Sequence, residues 1–220
     1  MTVFMLGSGV FWTVAYLLII WRSWRDRTYG MPLVALCANI SWEFIFSFVY
    51  PSHDLQLVVN IIWFVLDVII LILTLCYAPN DFDFPQWLFY VFFALMLGVS
   101  FVAVLLVTVE FRSSAYAAFG QNLMMSVLFC SLWYRRRPSL RGQSLSIAVC
   151  KLLGTACASW AFYAFTTLPH MVLPFLYVAT FVYDAIYVGL VLWQMRAKSS
   201  LRMVVGEAQA ASLSSKESSA

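Results

Sequence analysis

Charge is what this sequence has least of. Only 10% of its 220 residues are Asp, Glu, Lys or Arg, against 63% hydrophobic, and the mean hydropathy is +0.87. A soluble domain of this length cannot cover its surface with so few charges, so most of the chain is expected to have lipid as its solvent. The net charge of +3 is small, and the basic residues fall between apolar runs instead of interleaving with aromatics along a groove. That argues against a nucleic-acid partner. The five cysteines, Cys37, Cys76, Cys130, Cys150 and Cys157, are odd in number and lie in apolar stretches without C-x-x-C spacing. Neither a disulfide framework nor a zinc site follows from them. The two histidines, His53 and His170, share no metal-ligand spacing. Walker, Rossmann, H-E-x-x-H and G-x-S-x-G signatures are missing, which leaves a phosphate-driven pump unsupported. The N-terminal stretch has no basic flank and no small-residue cleavage site, so Met1 to Trp21 reads as a first span and not as a removed signal peptide.

What is present is a series of apolar runs, at about 2–21, 31–50, 57–77, 87–108, 114–133, 145–166 and 171–194. Pro, Gly or charged residues separate them. About 20 apolar residues cross roughly 30 Å of hydrocarbon as a helix, so the expectation is an all-α integral membrane protein, a seven-transmembrane-helix bundle spanning 1–196. The stretch 197–220 is rich in Ser and Ala and lacks apolar periodicity, and is expected to be a polar, disordered cytoplasmic tail. Arg22, Arg25 and Arg27, then Arg135, Arg136, Arg137 and Arg141, then Arg196, Lys198 and Arg202 follow odd-numbered runs, whereas the opposite loops hold only Arg112. The positive-inside rule then places the N-terminus outside or in a lumen and the C-terminus in the cytoplasm. The membrane would be the endoplasmic reticulum in a eukaryote and the plasma membrane in a bacterium. Asp81-Phe82-Asp83 has the look of a metal or diphosphate motif, but two acids without a third ligand read as a solvated loop.

Three carboxylates interrupt the apolar runs. Counting along the helices puts Asp67 about 15 Å deep, Glu43 about 18 Å from the cytoplasmic edge and Asp184 about 20 Å from the outer edge. Ionisable groups at such depth cost several kcal/mol unless they face the bundle interior, a partner or water, so each marks a candidate site. Helical spacing puts Asn39 and Phe46 on the face of Glu43, Asn60 and Trp63 on that of Asp67, and Tyr177, Phe181 and Tyr187 on that of Asp184. Low dielectric disfavours the charged form of a carboxylic acid, which makes the acids candidate proton donors. Neighbouring aromatic faces suit a developing cation. Interhelical hydrogen bonding is the competing account, for Asp67 above all, and equally for Gln121, Asn122 and Ser126. Lys151 stands about two turns into the sixth run and is expected to snorkel, with a carboxylate partner as the alternative.

An ordered set of residues gives the chain a family resemblance. Asn39-Ile40-Ser41-Trp42-Glu43, Trp63 with Asp67, Gln121-Asn122 with Ser126, Arg141-Gly142-Gln143-Ser144 with Lys151 and Gly154, and Asp184 with Tyr187 run through most of its length. The sequence resembles the small seven-span terpene cyclases of fungal meroterpenoid and indole-terpenoid biosynthesis, which have bacterial relatives. The resemblance implies a terpene cyclase of isomerase or lyase type. Such an enzyme protonates an epoxide or terminal alkene on a prenylated aromatic, indole or polyketide substrate and closes rings through a carbocation. No metal, other cofactor or diphosphate release is implied, in keeping with the lack of D-x-D-D and D-D-x-x-D motifs. The implied partners are a hydrophobic, epoxidised prenyl substrate, the lipid bilayer and a pathway epoxidase or prenyltransferase. The family's essential acids match Glu43 and Asp184, which by analogy hold the activating proton jointly while Asp67 and Asn122 orient them. Asn39, Gln121 and Lys151 would support the site, and Trp42, Phe46, Trp63, Tyr177, Phe181 and Tyr187 would line it.

Other classes compete. A retinal-type receptor needs a lysine in the last span, and none stands between Pro169 and Arg196. A small proton-coupled transporter also fits midplane carboxylates, although no internal repeat is visible. A purely structural membrane subunit leaves three buried acids unexplained.

Overall fold

The computed structural model describes residues 1–166 and 171–217, and everything regular in them is helical. His170 lies outside these residues. The helices are α1 (Thr2–Asp26), α2 (Leu33–Phe44), α3 (Asp54–Tyr77), α4 (Gln86–Phe111), α5 (Ser114–Arg136), α6 (Leu145–Phe165) and α7 (Val172–Glu217). A π turn, Ile45–Val49, continues α2, and a 3-10 turn, Ala78–Asp81, follows α3. Six of these helices are long and apolar enough to cross a membrane. The exception is the second, where α2 and its π turn together run only from Leu33 to Val49. In α7 the apolar stretch is Val172–Lys198 and the helical backbone continues to Glu217, through the part read from sequence as a tail.

Punctuation explains the breaks. Pro32 and Pro85 stand immediately before α2 and α4, where a missing N–H costs nothing. Ser113 and Ser144 cap α5 and α6 by accepting from Ala115 N and Ile147 N, which satisfies one otherwise unpaired donor in each first turn.

The packing order decides where polar groups are tolerated. α1 lies against α6 and α3, and α7 against α5 and α6. α2 is enclosed by α3, α4 and α5, and every residue from Ala35 to Glu43 is buried. By contrast, α4 fully buries only Phe89, Phe93, Ser100 and Val104. A helix walled by other helices keeps its polar side chains away from lipid, and α2 is the one that carries Asn39 and Glu43.

One end of the bundle is strapped together. Asp81 accepts from Thr28 and pairs with Arg136 at 3.6 Å and Arg141 at 3.8 Å. The Arg136 guanidinium lies 4.1 Å from the Tyr29 ring centre and donates to Tyr29 O and Arg141 O, each at 2.8 Å. Gly142 adopts φ +69°, and a β-carbon there would fall 2.6 Å from Arg136 Nη1, so the strap closes only around a residue without a side chain. The acidic loop read as solvated is thus corrected for Asp81: its carboxylate ties three inter-helix loops. Among the described residues no group of three or more potential metal ligands gathers there or elsewhere.

Candidate active site

Two polar clusters occupy the interior, one step apart on α5. The first is built on α2. Glu43 and Asp67 are both fully enclosed, and one side-chain amide bridges their carboxyl groups. The amide nitrogen of Asn39, one helical turn before Glu43, lies 3.1 Å from Glu43 Oε1 and 2.8 Å from Asp67 Oδ2. Tyr16 donates to Glu43 Oε1 at 2.8 Å and accepts from Asn39. Gln121 donates to Asn39 Oδ1 at 3.3 Å, which fixes the amide's orientation. Two enclosed carboxyls bridged by one amide resist carrying two charges, because like charges this close disfavour the second ionisation. Among the described residues no cationic side chain hydrogen-bonds to either acid, so the pair is suited to hold at least one proton.

Rings and a backbone irregularity occur on the same helices as this cluster. Trp42 and Phe46 pack at 4.8 Å between ring centres, and Trp63 meets Tyr16 edge-on at 6.2 Å while donating to Thr13 Oγ1 at 3.0 Å. Two residues after Glu43 the backbone switches to π hydrogen bonding, with Tyr50 N on Ile45 O at 2.7 Å. Such turns recur at functional sites because they re-aim side chains locally. Asn60 pins the turn: its amide nitrogen lies 3.4 Å from Phe46 O and 3.1 Å from Ser52 Oγ. Beyond Phe46, at the end of the bundle opposite the arginine strap, opens a hollow of about 570 Å³. Its walls include Phe46, Tyr50, His53, Gln56, Arg112 and Ser114. Glu43 stands one turn behind Phe46, and neither it nor Asp184 is part of that lining.

The second cluster centres on Lys151. Its ammonium lies 2.6 Å from Asp184 Oδ1, 2.5 Å from Ser126 Oγ and 3.3 Å from Asn122 Oδ1. Trp12 lies over it at 5.6 Å. Lys151 and Asp184 are each 1% exposed, so the expectation of snorkelling is corrected. Ser126, Asn122, Trp12 and the carboxylate supply what water would. Asn122 is further held by its bond to Thr155 Oγ1 at 3.0 Å.

The structure therefore brings Glu43 together with Asp67 and Asn39, and Asp184 together with Lys151, Asn122 and Ser126. Glu43 and Asp184 have separate partners, so the joint proton-holding inferred by analogy gives way to two distinct arrangements. Gln121 and Asn122, adjacent on α5, touch one cluster each, and the packed pair Trp12–Tyr16, 6.0 Å apart, runs between them on α1. Of the aromatics expected around Asp184, Tyr187 is buried and donates to Gln143 Oε1 at 3.1 Å, and Tyr177 packs on Phe119 at 4.6 Å. Phe181 is 52% exposed on the outside of α7; three residues from Asp184, that face has already turned from the interior. Sequence reading missed Tyr16 and Trp12, whose signal, aromatics four apart in the first run, is masked by an aromatic content of 18%.

Comparison with known proteins places this arrangement. The sequence profile of the Pyr4-like transmembrane terpene cyclases matches residues 1–198. Terpene cyclase pyr4 of Aspergillus fumigatus is 31% identical over 159 residues, 69% of this chain and 65% of that protein. Terpene cyclase penB of Penicillium crustosum is 31% identical over 163 residues, 70% of this chain and 66% of its own. The Pyr4-family terpene cyclase mfmH of Annulohypoxylon moriforme reaches 46% identity over 80 residues, 36% of this chain and 31% of that protein. The aligned part thus spans two thirds or less of the length of these relatives. No solved structure matches the chain. A profile covering all the apolar helices leaves one assignment: this chain belongs to the Pyr4-like transmembrane terpene cyclases.

Proposed function

We propose that the protein is a membrane-bound terpene cyclase that protonates an epoxide, or a terminal alkene, of a prenylated aromatic, indole or polyketide substrate and cyclises the chain through a carbocation. The observation that carries this reading is the Glu43–Asp67 pair, two buried carboxyls bridged by the Asn39 amide, with the packed rings of Tyr16 and Trp63 on the neighbouring helices. Glu43 gives its proton to the epoxide oxygen. The C–O bond breaks as a neighbouring double bond closes the first ring, and the charge moves along the chain. Loss of one proton ends the sequence, so product and substrate are isomers. Asp67 and Asn39 orient Glu43, and Tyr16 holds the oxygen that does not transfer. Trp42, Phe46 and Trp63 supply faces for the cation. Asp184, supported by Asn122 and Lys151, is the second essential acid, and no metal or cofactor takes part.

In this reading all seven helices cross the bilayer, α2 with its π turn included, since 17 residues lie at the short end of what can span. The N-terminus is outside or lumenal and the arginine strap is cytoplasmic. The hollow at the outer end receives the polar head while the prenyl chain passes Phe46 toward Glu43.

The test is expression in a host that makes an epoxyprenyl compound, followed by mass spectrometry for an isomer of unchanged mass. Glu43→Gln and Asp184→Asn should each abolish that isomer while leaving the protein in the membrane fraction. A solute gradient in vesicles, with no prenyl compound consumed, would establish the transporter reading instead.

A further inference from the structure

The Lys151 cluster reveals its own protonation state by hydrogen-bond counting. Ser126 Oγ donates its only hydrogen to Asn122 O at 2.8 Å, so toward Lys151 it accepts. Asn122 donates through its amide nitrogen to Thr155 Oγ1 and accepts from Lys151 at its oxygen. Asp184 Oδ1 is the third acceptor. Three acceptors around one nitrogen match an ammonium with three hydrogens and leave no donor for a neutral amine's lone pair. An ammonium 2.6 Å from a carboxyl oxygen, both groups 1% exposed, requires the carboxylate as its counter-charge. The other oxygen, Asp184 Oδ2, is buried, and among the described residues no donor reaches it. It is a carboxylate lone pair that the surrounding protein leaves unused.

Resting on the cyclase reading above, we propose that Asp184 acts as an anion and not as a proton donor. Its free Oδ2 faces the travelling carbocation and accepts the final proton. Lys151 is the positioning residue that keeps Asp184 ionised and aimed. In the closing step a C–H bond next to the cationic carbon breaks, its electron pair becomes the new double bond, and the proton passes to Oδ2. Exchange with water between turnovers restores the carboxylate and reloads the Glu43–Asp67 pair. The two clusters thus divide donor from acceptor, which fits their opposite surroundings: one acid faces another acid, the other faces a cation.

An amine analogue tests this without relying on turnover. A prenyl compound with a tertiary ammonium in place of the cationic carbon, and its neutral carbon counterpart, are titrated against the full-length protein in detergent micelles. The wild type should bind the ammonium compound at least about ten-fold tighter than the neutral one. Asp184→Asn should lose that preference, Glu43→Gln should keep it, and Lys151→Arg should keep it too. The double variant Lys151→Met/Asp184→Leu removes both charges without stranding either. It should remain folded and show no ammonium preference. Equal ammonium preference in wild type and Asp184→Asn, or in the double variant, overturns the proposal while leaving the cyclase reading intact. A wild-type protein that turns over no epoxyprenyl compound defeats that reading, and the proposal with it.

Discussion

Trp12 lies flush on Gly154. A β-carbon at that glycine would sit 2.7 Å from the indole Cδ1 and 3.0 Å from its Nε1, so α1 and α6 approach this closely only because the side chain is missing. The same indole covers the Lys151 ammonium and touches Tyr16. A contact between two helices thereby sets the position of groups in both polar clusters.

Gly154→Ala is expected to push the indole off α6. Overpacking of this kind costs about 1–3 kcal/mol, and the displaced ring no longer screens Lys151. Thermal stability measured by fluorescence-detected size exclusion should fall, and product formation should fall further than stability alone accounts for. Equal activity and melting point in the variant would show that the indole has room to move.

Asn39 is the link most exposed to a single change. Its amide nitrogen contacts Tyr16, Glu43 and Asp67. Asn39→Ala leaves buried acceptors without their donor, a loss of about 1–3 kcal/mol, and frees the two carboxyls to rotate apart. Cyclised product should drop at least about ten-fold while the protein still reaches the membrane. Asn39→Asp should be worse, since it adds a third carboxyl without a cation.

These two cases show what was legible from sequence and what was not. A charge inside an apolar run is unambiguous, so Glu43, Asp67 and Asp184 stand out by composition alone. Their pairing does not, because depth along each helix is fixed by counting but rotation about its axis depends on the neighbours. Glu43 meets Asp67, not Asp184, for that reason, and Lys151, near a run's end by count, turns inward. Tyr16 carries no charge and hides among aromatics that mostly face lipid. The π turn after Phe44 has no sequence signature, and with it α2 reaches from Leu33 to Val49.

Asp67→Asn separates pairing from packing. The amide keeps the volume and can still accept from Asn39, but it cannot share a proton with Glu43. If the pair is the proton reservoir, turnover should fall by about 10²–10⁴, the range of general acid catalysis, with the melting point nearly unchanged. Retention of wild-type turnover would reduce Asp67 to an interhelical bond.

The strap predicts the opposite pattern. Asp81→Asn removes the ion pairs to Arg136 and Arg141 but keeps an acceptor for Thr28. These partners are partly solvated, so the loss should be small, about 1 kcal/mol or less, and it should shrink further as salt is raised. Cyclised product per folded molecule should not change, because the strap's ion pairs and hydrogen bonds run among the inter-helix loops and not to either polar cluster. A diphosphate or metal role for Asp81 makes a different forecast: the same substitution would remove activity while sparing the melting point. Measuring both quantities on one preparation therefore decides whether this acidic loop is scaffold or chemistry.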